Sequence, residues 1–494
     1  MQNTATPNEK TLNILHLSDL HREPGNPISN KVLLSTLMRD RDNYTSNEDP
    51  RIPAPNFVIV SGDIVQGVKH DTADAKVLLK RQYDEATTFL NTVADEFVDG
   101  DKDRVVIVPG NHDVSDEVFR RSTKRREVHP DARRALVGQL FRPNSKFRWS
   151  WEEFALYEID DPTVYDERLT AFCEFYEAFY EGKRHYGKES TRQLDFFDYP
   201  DYGIAVVGFS SCYNNDLLNR QGAIHPDCIA EADTWLRDIS LSREPIRVAV
   251  WHHNTEGSPT ASDYMDSEIL QNLIDIGFSL GFHGHQHRPA FLDIKFRHVQ
   301  ERRMTVISAG TLCGGAAFRH GRAYNIIEID PTARSGRLHL REMQNDKLDM
   351  PIFGPRSLPP NRTSFIDFTF DSPPQPFARL DRTTMLLNNA QTLYNTGEFQ
   401  AAADILAPLA INDADPLARR LLLECYKQLH DVSAVVDNFD PPEGPAETIA
   451  LMDALWELGL RPRLAEVLKL PVVCGATDSS VIEMRNKYAV KVRI

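Results

Sequence analysis

Short runs of Val, Ile and Leu recur along the first part of this sequence, and five of them end in a cluster of polar residues. Runs of five or six such residues are typical of buried strands. Helical patterns separate several of the runs, for example at 76–98 and 227–239. This order predicts an α/β fold in which two layered sheets are flanked by helices. The runs that end in polar clusters are 12–17, 56–61, 104–109, 246–251 and 278–282, and further strands are predicted at 202–209, 304–309, 324–329 and 338–342.

The polar clusters lie just past the carboxyl ends of the predicted strands. In open α/β sheets, this edge is where ligands bind. Five strands from distant parts of the chain therefore deliver Asp, Asn or His side chains to one edge. The clusters are Asp19-Leu20-His21, Gly62-Asp63, Gly110-Asn111-His112-Asp113, His252-His253 and Gly284-His285-Gln286-His287.

These residue types match the ligands that a pair of divalent cations requires. Two neighbouring cations need carboxylate, amide and imidazole ligands, with one carboxylate bridging them. An extended backbone would place Asp19 and His21 on one side of the chain, and His285 and His287 likewise. Glycines leave room for tight turns beside such a site. They occur in three of the clusters, at Gly62, Gly110 and Gly284.

Length and composition limit the class of protein. At 494 residues, with 41% apolar and 26% charged residues, the chain is expected to be a soluble protein of two or three domains. The net charge of −16 disfavours non-specific binding to nucleic acid or to an anionic membrane. No signal peptide or membrane span is expected. The six cysteines form no CxxC pair, which predicts free thiols and a cytoplasmic location.

Residues 115–200 interrupt the strand pattern and predict an inserted, mostly helical cap. Its first part, 119–148, holds ten Lys or Arg residues, and the part after it is aromatic and acidic. The basic residues either form a solvated helix face that pairs with the acidic stretch, or bind the phosphates of a nucleotide or nucleic acid. In the second alternative, the substrate would be contacted by Arg120, Arg121, Lys124, Arg125 and Arg126.

The rest of the chain divides into a linker and a helical domain. Seven prolines between 345 and 381 predict a linker over 346–382, with one strand at 364–370. From 383 to 494 the apolar period is helical. The spacing of Leu393, Gly397, Phe399 and Ala402 resembles a tetratricopeptide repeat, and a plain helical bundle is the alternative.

The five clusters, in this order, resemble the motifs of the calcineurin-like metallophosphoesterase superfamily. The segments 208–236 and 307–315 also resemble that family, so that the likeness covers about 12–342 apart from the insertion. It implies a two-sheet αββα sandwich over 1–345, with the cap at 115–200 as an insertion.

The resemblance also implies a role for each matching residue. Two divalent metal ions, expected to be manganese with iron, zinc or nickel as alternatives, would activate a metal-bound hydroxide against phosphorus. His112 would contact the phosphate or protonate the leaving oxygen, and Asp113 would orient its ring. His253 would either replace His252 as a ligand or contact the substrate, and the position directly after the strand favours His252 as the ligand. The first metal would be held by Asp19, His21, Asp63 and His287, and the second by Asp63, Asn111, His252 and His285.

The expected reaction is hydrolysis of a phosphodiester bond in a nucleotide or nucleic acid. The Gly-Asn-His-Asp block resembles both cyclic-nucleotide phosphodiesterases and double-strand-break repair nucleases, and the segment around Trp235 and His252 resembles the former more closely. A nuclease of the repair or defence type is the second alternative, and a phosphomonoesterase or protein phosphatase is the third. The helices of 383–494 would dock a protein partner, self-associate or only pack on the enzyme.

Overall fold

The computed structural model describes residues 10–127, 133–140, 145–256, 263–295, 303–315, 321–357, 363–370, 382–411, 416–476 and 478–492. The chain divides into two compact units, Met1–Pro376 and Phe377–Ile494. Within the described ranges, no helix has the length and apolar character needed to cross a membrane.

The first unit contains the predicted strands and several more. Its strands are β1 Leu12–Leu17, β2 Phe57–Ser61, β3 Val105–Val108, β4 Thr123–Arg126, β5 Phe147–Ser150, β6 Ala155–Ile159, β7 Leu194–Tyr199, β8 Ile204–Phe209, β9 Ile246–Val250, β10 Leu280–His283, β11 Ala290–Lys295, β12 Arg303–Ser308, β13 Ala323–Asp330, β14 Ser335–Met343, β15 Phe353–Pro355 and β16 Phe365–Thr369. Its helices are α1 Asn30–Ser46, α2 Ala75–Val98, α3 Asp116–Ser122, α4 Arg133–Leu140, α5 Pro162–Asp166, α6 Thr170–Phe179, α7 Pro226–Ser240 and α8 Ser267–Asp275.

Two large sheets carry the strands that lead to the polar clusters. The first sheet has the order β15-β14-β13-β1-β2-β3, with β16 paired to β14, and β1, β2 and β3 run parallel. The second has the order β11-β12-β10-β9-β8-β7, and β8, β9, β10 and β12 run parallel. Because parallel strands end at the same edge of a sheet, each sheet brings its clusters to one edge.

The two sheets pack against each other and are covered by helices. One hydrophobic core joins Val58 and Val106 of the first sheet with Val206 and Val248 of the second. Side chains of α1 and α2 belong to this core, whereas α7 and α8 pack on a second core that includes Trp251. Every residue of β1, β2, β3, β8 and β9 is buried, as expected for strands covered on both faces. The predicted two-sheet αββα architecture is confirmed.

The insertion contains a small sheet in addition to the helices that the sequence predicts. Besides α3, α4, α5 and α6, it contains a small antiparallel sheet with the order β4-β6-β5. The sequence of β4, TKRR, has no apolar alternation, so nothing local indicates a strand. Pairing with β6, whose five residues are all buried, gives this segment its extended form. Tertiary contact therefore overrides the local pattern here.

The first sheet continues into the proline-rich region after residue 345. Two short segments there, β15 and β16, pair antiparallel with β14. Both lie within 346–382, the segment for which the sequence predicts a linker. The described residues of that segment therefore include strands of the sheet, and β16 lies inside the strand predicted at 364–370.

The second unit is helical in its described residues. Its helices are α9 Arg382–Thr396, α10 Phe399–Ile411, α11 Pro416–Leu429, α12 Val432–Phe439, α13 Pro445–Glu457, α14 Arg461–Val467, α15 Pro471–Cys474 and α16 Ser479–Val492. One core joins α9 to α12 through Ala402, Leu406, Leu422 and Phe439. A second core joins α13 to α16 through residues such as Leu455 and Tyr488. The all-helical character predicted for 383–494 is confirmed.

Candidate metal centre

Asp63 lies at the centre of the converging strand ends, directly after β2. Its two carboxylate oxygens face different histidines: Oδ2 lies 3.7 Å from Nε2 of His21, and Oδ1 lies 3.3 Å from Nε2 of His252. The backbone N–H of His112 donates to Oδ1 at 2.9 Å. The carboxylate therefore separates two groups of nitrogen and oxygen atoms, as a bridging ligand would.

The first group surrounds Asp19. Oδ1 of Asp19 lies 3.3 Å from Nε2 of His287 and 4.0 Å from Nε2 of His21. The two imidazole Nε2 atoms are 3.1 Å apart. Oδ2 of Asp19 accepts the backbone N–H of His285 at 3.1 Å. This hydrogen bond fixes the carboxylate with Oδ1 directed at the two imidazoles.

The second group surrounds the side-chain oxygen of Asn111. This Oδ1 lies 3.1 Å from Nε2 of His252 and 2.9 Å from Nδ1 of His285. The two imidazole nitrogens are 3.3 Å apart. Asn111 belongs to a short 3-10 turn that begins after β3. All seven predicted metal ligands are thus brought into two adjoining groups.

The donor atoms of both groups fit divalent cations. Oδ1 of Asp19 is buried and has no hydrogen-bond donor in the described structure. A buried carboxylate oxygen without a partner is costly, and a cation beside it would remove that cost. Among the residues that the structure describes, three sets of side chains have ligand atoms close enough for one ion: Asp19, His21 and His287; His21, Asp63 and His112; and Asp19, Asp63 and His252. Carboxylate, amide and imidazole ligands together suit manganese, iron, zinc or nickel.

The backbone at these positions is left-handed, which corrects the expectation of extended segments. Asp19 and His21 have φ of 50° and 44°, Asp63 has 50°, and His285 and His287 have 79° and 53°. Residues other than glycine rarely adopt positive φ, and such strain clusters at functional sites. The chain turns here because Asp19 and His21 donate their backbone N–H groups to the carbonyls of Gly62 and Asp63.

Two glycines allow the close approach of the strand ends. A Cβ atom at Gly110 would lie 2.2 Å from Oδ1 of Asp63, and one at Gly62 would lie 2.4 Å from Nδ1 of His252. Gly62 also has φ of 96°. Any side chain at either position would displace a predicted metal ligand.

Hydrogen bonds to the backbone orient two of the imidazoles. Nδ1 of His252 donates to the carbonyl of Ser61 at 2.8 Å, and Nδ1 of His287 donates to the carbonyl of Gly315 at 2.7 Å. Each bond directs Nε2 of the same ring into the site. Anchors of this kind hold metal-binding histidines in the productive tautomer.

The carboxylates of Asp19 and Asp63 are ionised. Burial by itself raises the pKa of Asp19, but the neighbouring imidazoles of His287 and His252 lower it to about 2. Burial also opposes ionisation of Asp63, yet the charges of His252 and His112 hold its pKa well below its usual range. Two buried negative charges side by side favour the binding of cations.

Asp113 does not orient the ring of His112, contrary to the sequence-based expectation. Its carboxylate accepts the N–H of Gly110 at 2.8 Å, the N–H of Ile64 at 3.2 Å and the hydroxyl of Tyr83 at 3.0 Å. Nδ1 of His112 instead donates to the carbonyl of Gln66 at 2.6 Å. The carboxylate turns inward because these buried donors require an acceptor. Asp113 therefore supports the loops that carry Asp63 and Asn111.

His253 is fully buried behind the ligand histidines. Nδ1 lies 2.8 Å from Oγ of Ser211, and Nδ2 of Asn215 lies 3.1 Å from Nε2. Burial and the neighbouring rings of His285 and His252 hold its pKa well below the usual range, so the ring is neutral. The ring of His253 instead packs against that of His285, with 4.8 Å between the ring centroids. This position contradicts the expectation that His253 contacts the substrate.

Ion pairs engage four of the five basic residues proposed as substrate contacts. Arg120 pairs with Glu153 and Arg121 with Glu167, each at 2.9 Å. The remaining two pairs are Lys124 with Asp160 and Arg126 with Glu158. Pairing of the basic stretch with the acidic stretch was one of the two alternatives open from the sequence. Arg125 is exposed and has no ion pair in the described structure. Two further predicted basic positions, the side chains of Arg133 and Arg134, lie outside the described residues, as does Arg142.

The insertion is connected to the residues behind the site. Arg148 of β5 donates to Asp216, and Arg168 donates to the carbonyl of Asn215. Asn215 contacts His253, and Oγ of Ser211 accepts the N–H groups of both His252 and His253. The insertion thus helps to position the loop that supports His252.

Several of these supporting residues are absent from the sequence-based candidates. Ser61, Gln66 and Gly315 act through backbone carbonyls, which any residue supplies, so no side-chain pattern could indicate them. Ser211 acts through its side chain, but it stands alone in a loop without a recognisable spacing. Their functions become visible only in three dimensions.

Comparison with protein families identifies one match that covers more than half of the chain. The model of the calcineurin-like phosphoesterase family matches residues 12–289. This range includes all seven residues of the candidate metal centre. The comparison with curated proteins gives no match.

Three solved structures with detectable likeness are distant in sequence. The calcineurin-like phosphoesterase YfkN of Bacillus subtilis is 11% identical, with a TM-score of 0.30, over 79% of this chain and 99% of that chain. GAP50, the anchor in the inner membrane complex of Plasmodium, is 12% identical, with a TM-score of 0.30, over 77% and 94%. The phosphopantetheinyl hydrolase PptH of Mycobacterium tuberculosis is 14% identical, with a TM-score of 0.23, over 62% and 90%.

Proposed function

Because this chain belongs to the calcineurin-like phosphoesterase family, we propose that it hydrolyses phosphodiester bonds, with a nucleotide as the first-choice substrate. Members of the family are metal-dependent phosphoester hydrolases, and this chain is an enzyme of that class. The central position of Asp63 between two groups of ligands is the observation that carries the proposal. A substrate phosphate would be bound at this junction, where positive charge is concentrated once cations are held.

We assign the two groups to two divalent cations, with manganese as the first choice. When bound, such cations lower the pKa of water and neutralise charge on the phosphoryl oxygens. Asp63 would contribute one oxygen to each position. Asp19, His21 and His287 would complete the first position, and Asn111, His252 and His285 the second.

His112 is the residue we assign to proton transfer. Its Nδ1 is occupied by the carbonyl of Gln66, which leaves Nε2 to face the substrate. The ring lies 4.6 Å from that of His21, at the border of the first ligand group. A protonated imidazole in this position would donate to a phosphoryl oxygen or to the leaving oxygen.

A nucleotide is favoured over a long nucleic acid because the basic residues of the insertion are mostly paired. Four of the five basic side chains proposed as substrate contacts already form ion pairs with carboxylates. Little positive charge therefore remains to bind a phosphate backbone. One observation favours the alternative of a nuclease that acts on single strands. Trp151 and Phe154, in the turn between β5 and β6, are 77% and 75% exposed, and exposed aromatic rings can stack on bases.

A substrate panel tests these assignments. Purified protein should hydrolyse an aryl phosphodiester when manganese is added, and the Asp63→Asn variant should not. Cyclic nucleotides, single-stranded DNA and RNA, and a phosphomonoester then rank the substrate classes. Preference for the monoester would contradict the diester proposal. Failure with manganese, nickel, zinc and iron alike would contradict the whole assignment.

We also propose that the second unit docks a protein partner through tetratricopeptide-like helix pairs. The support is the pairing of α9 with α10 and of α11 with α12 around one core. A cavity of about 500 Å³ lies between α11, α12 and α13. Turnover of a small phosphodiester by the chain without 383–494 separates the alternatives. Unchanged turnover with loss of a partner supports docking, whereas an insoluble fragment shows that the helices are needed for folding.

A further inference from the structure

The imidazoles of the candidate metal centre are not all anchored in the same way. His252, His287 and His112 each direct Nδ1 to a backbone carbonyl. These anchors do not depend on any side chain, because every residue carries a carbonyl. Substitution of the anchoring residue would therefore leave them in place.

The imidazole of His285 has the opposite orientation. Its Nδ1 faces the ligand group, at 2.9 Å from Oδ1 of Asn111, so Nε2 points away from the site. The group that meets Nε2 is a side chain, the carboxylate of Asp263, whose Oδ2 lies 3.7 Å away. Among these four rings, His285 is thus the one whose outward-facing nitrogen meets a carboxylate within the described residues.

The backbone that follows Asp263 pairs with neighbouring segments. The next two residues form bridges to neighbouring segments: Tyr264 pairs with Asn254, and Met265 pairs with Gly222. Met265 also donates its N–H to the carbonyl of Asn254 at 2.8 Å. The segment is therefore tied to the strand end that carries His252.

Within the described residues, His285 is the partner of the only ion pair that this carboxylate forms, although the charge of Arg220 also acts on it. Oδ1 of Asp263 is buried and receives no hydrogen bond there. The side chain is 31% exposed, while that of His285 is 11% exposed. A partly buried carboxylate with its other oxygen directed at an imidazole is suited to orient that ring.

We propose that Asp263 is a positioning residue for the second metal ion, acting through His285. This inference rests on the proposed function, because it assigns His285 as a ligand. The carboxylate keeps the proton on Nε2 and the lone pair on Nδ1, the nitrogen that faces the site. It also strengthens Nδ1 as a donor, since a negative charge behind the ring increases its basicity. Without Asp263, the ring is free to turn and present a carbon atom to the metal.

Calorimetric titration of manganese into the metal-free full-length protein tests the proposal. The wild type should bind two ions. Asp263→Ala should retain one ion at wild-type affinity and bind the other roughly 10- to 100-fold more weakly, the usual effect of removing such an anchor. Asp263→Asn should lie between the two, because its amide oxygen still accepts the ring N–H. Glu268→Ala, an exposed acidic residue in the first turn of α8, is the matched control and should bind like the wild type.

The possible results distinguish a failure of the role assigned to Asp263 from a failure of the proposed function. Two ions bound by Asp263→Ala with wild-type affinity would overturn the role of Asp263 and leave the proposed function intact. A wild type that binds no ion would overturn the proposed function itself. Thermal unfolding of the metal-free variants should match the wild type, because the inference concerns metal affinity. If Asp263→Asn and Asp263→Ala both unfold before titration, the residue is structural and the inference is wrong.

Discussion

Arg148 in the insertion donates a hydrogen bond from Nε to Oδ2 of Asp216 at 2.6 Å, and the two side chains are only 5% and 0% exposed. The hydroxyl of Tyr165 donates to the same oxygen at 2.7 Å. Asp216 belongs to the loop that presents Asn215 to His253. The buried ion pair therefore joins the insertion to the loop behind the metal centre.

Removal of Arg148 should destabilise the protein strongly. In Arg148→Ala, the carboxylate of Asp216 would remain buried without its charged partner, which costs about 3–5 kcal/mol. Equilibrium unfolding in urea measures the loss. Arg121→Ala, which breaks an ion pair exposed by about half, should cost less than about 1 kcal/mol. Equal losses for the two variants would contradict a supporting role for the buried pair.

Gly110→Ala should abolish metal binding and turnover. The new Cβ would lie 2.2 Å from Oδ1 of Asp63, so the central carboxylate would have to move. Metal content by elemental analysis, together with hydrolysis of an aryl phosphodiester, measures the effect. Gly138→Ala is the control, because a Cβ there meets no atom within 4 Å. A Gly110→Ala variant with two bound ions and normal turnover would show that Asp63 is not the bridge.

His112→Gln should lower kcat by roughly 10²- to 10⁴-fold while metal binding is retained. If His112 protonates the leaving oxygen, the loss will be smaller for p-nitrophenyl esters, whose leaving group needs no proton, than for alkyl esters. A series of diesters with leaving groups of graded basicity measures this dependence. An equal loss across the series would indicate that His112 contacts the phosphate without transferring a proton.

His16 should make the fold sensitive to mild acid. Burial and the nearby ring of His283 lower the pKa of His16 from 6.5 to about 3, and the ring bonds Oγ of Ser61 at 3.0 Å. The unfolded chain therefore binds a proton between about pH 6.5 and 3 that the folded chain excludes. The stability that this group contributes is complete above pH 6.5 and is lost as the pH falls through this range.

The melting temperature at pH 7.5 and at pH 5.0 checks the effect of His16. The wild type should lose more stability between the two values than His16→Gln, which has no group to titrate at that position. An identical change in both proteins would show that other residues cause the acid sensitivity.

The strands were predictable because their signal is local. The runs that became β1, β2, β3, β8, β9 and β10 are buried along their whole length, so most of their residues are apolar. The polar residues after them were predictable as a group, since parallel strands end at one edge. By contrast, β4 and β15 carry no local signal, because their extended form depends on pairing with β6 and β14.

The sequence by itself determined which side chains could meet, through residue type and order along the chain. The tertiary structure decided how each of them is used. Asp113 and His253 have the same residue types as the ligands, yet buried donors and acceptors hold them away from the substrate side of the site. Asp263 carries no motif, yet it faces a ring nitrogen of His285. The direction of a side chain depends on hydrogen bonds to residues far away in the chain, and such contacts leave no local pattern.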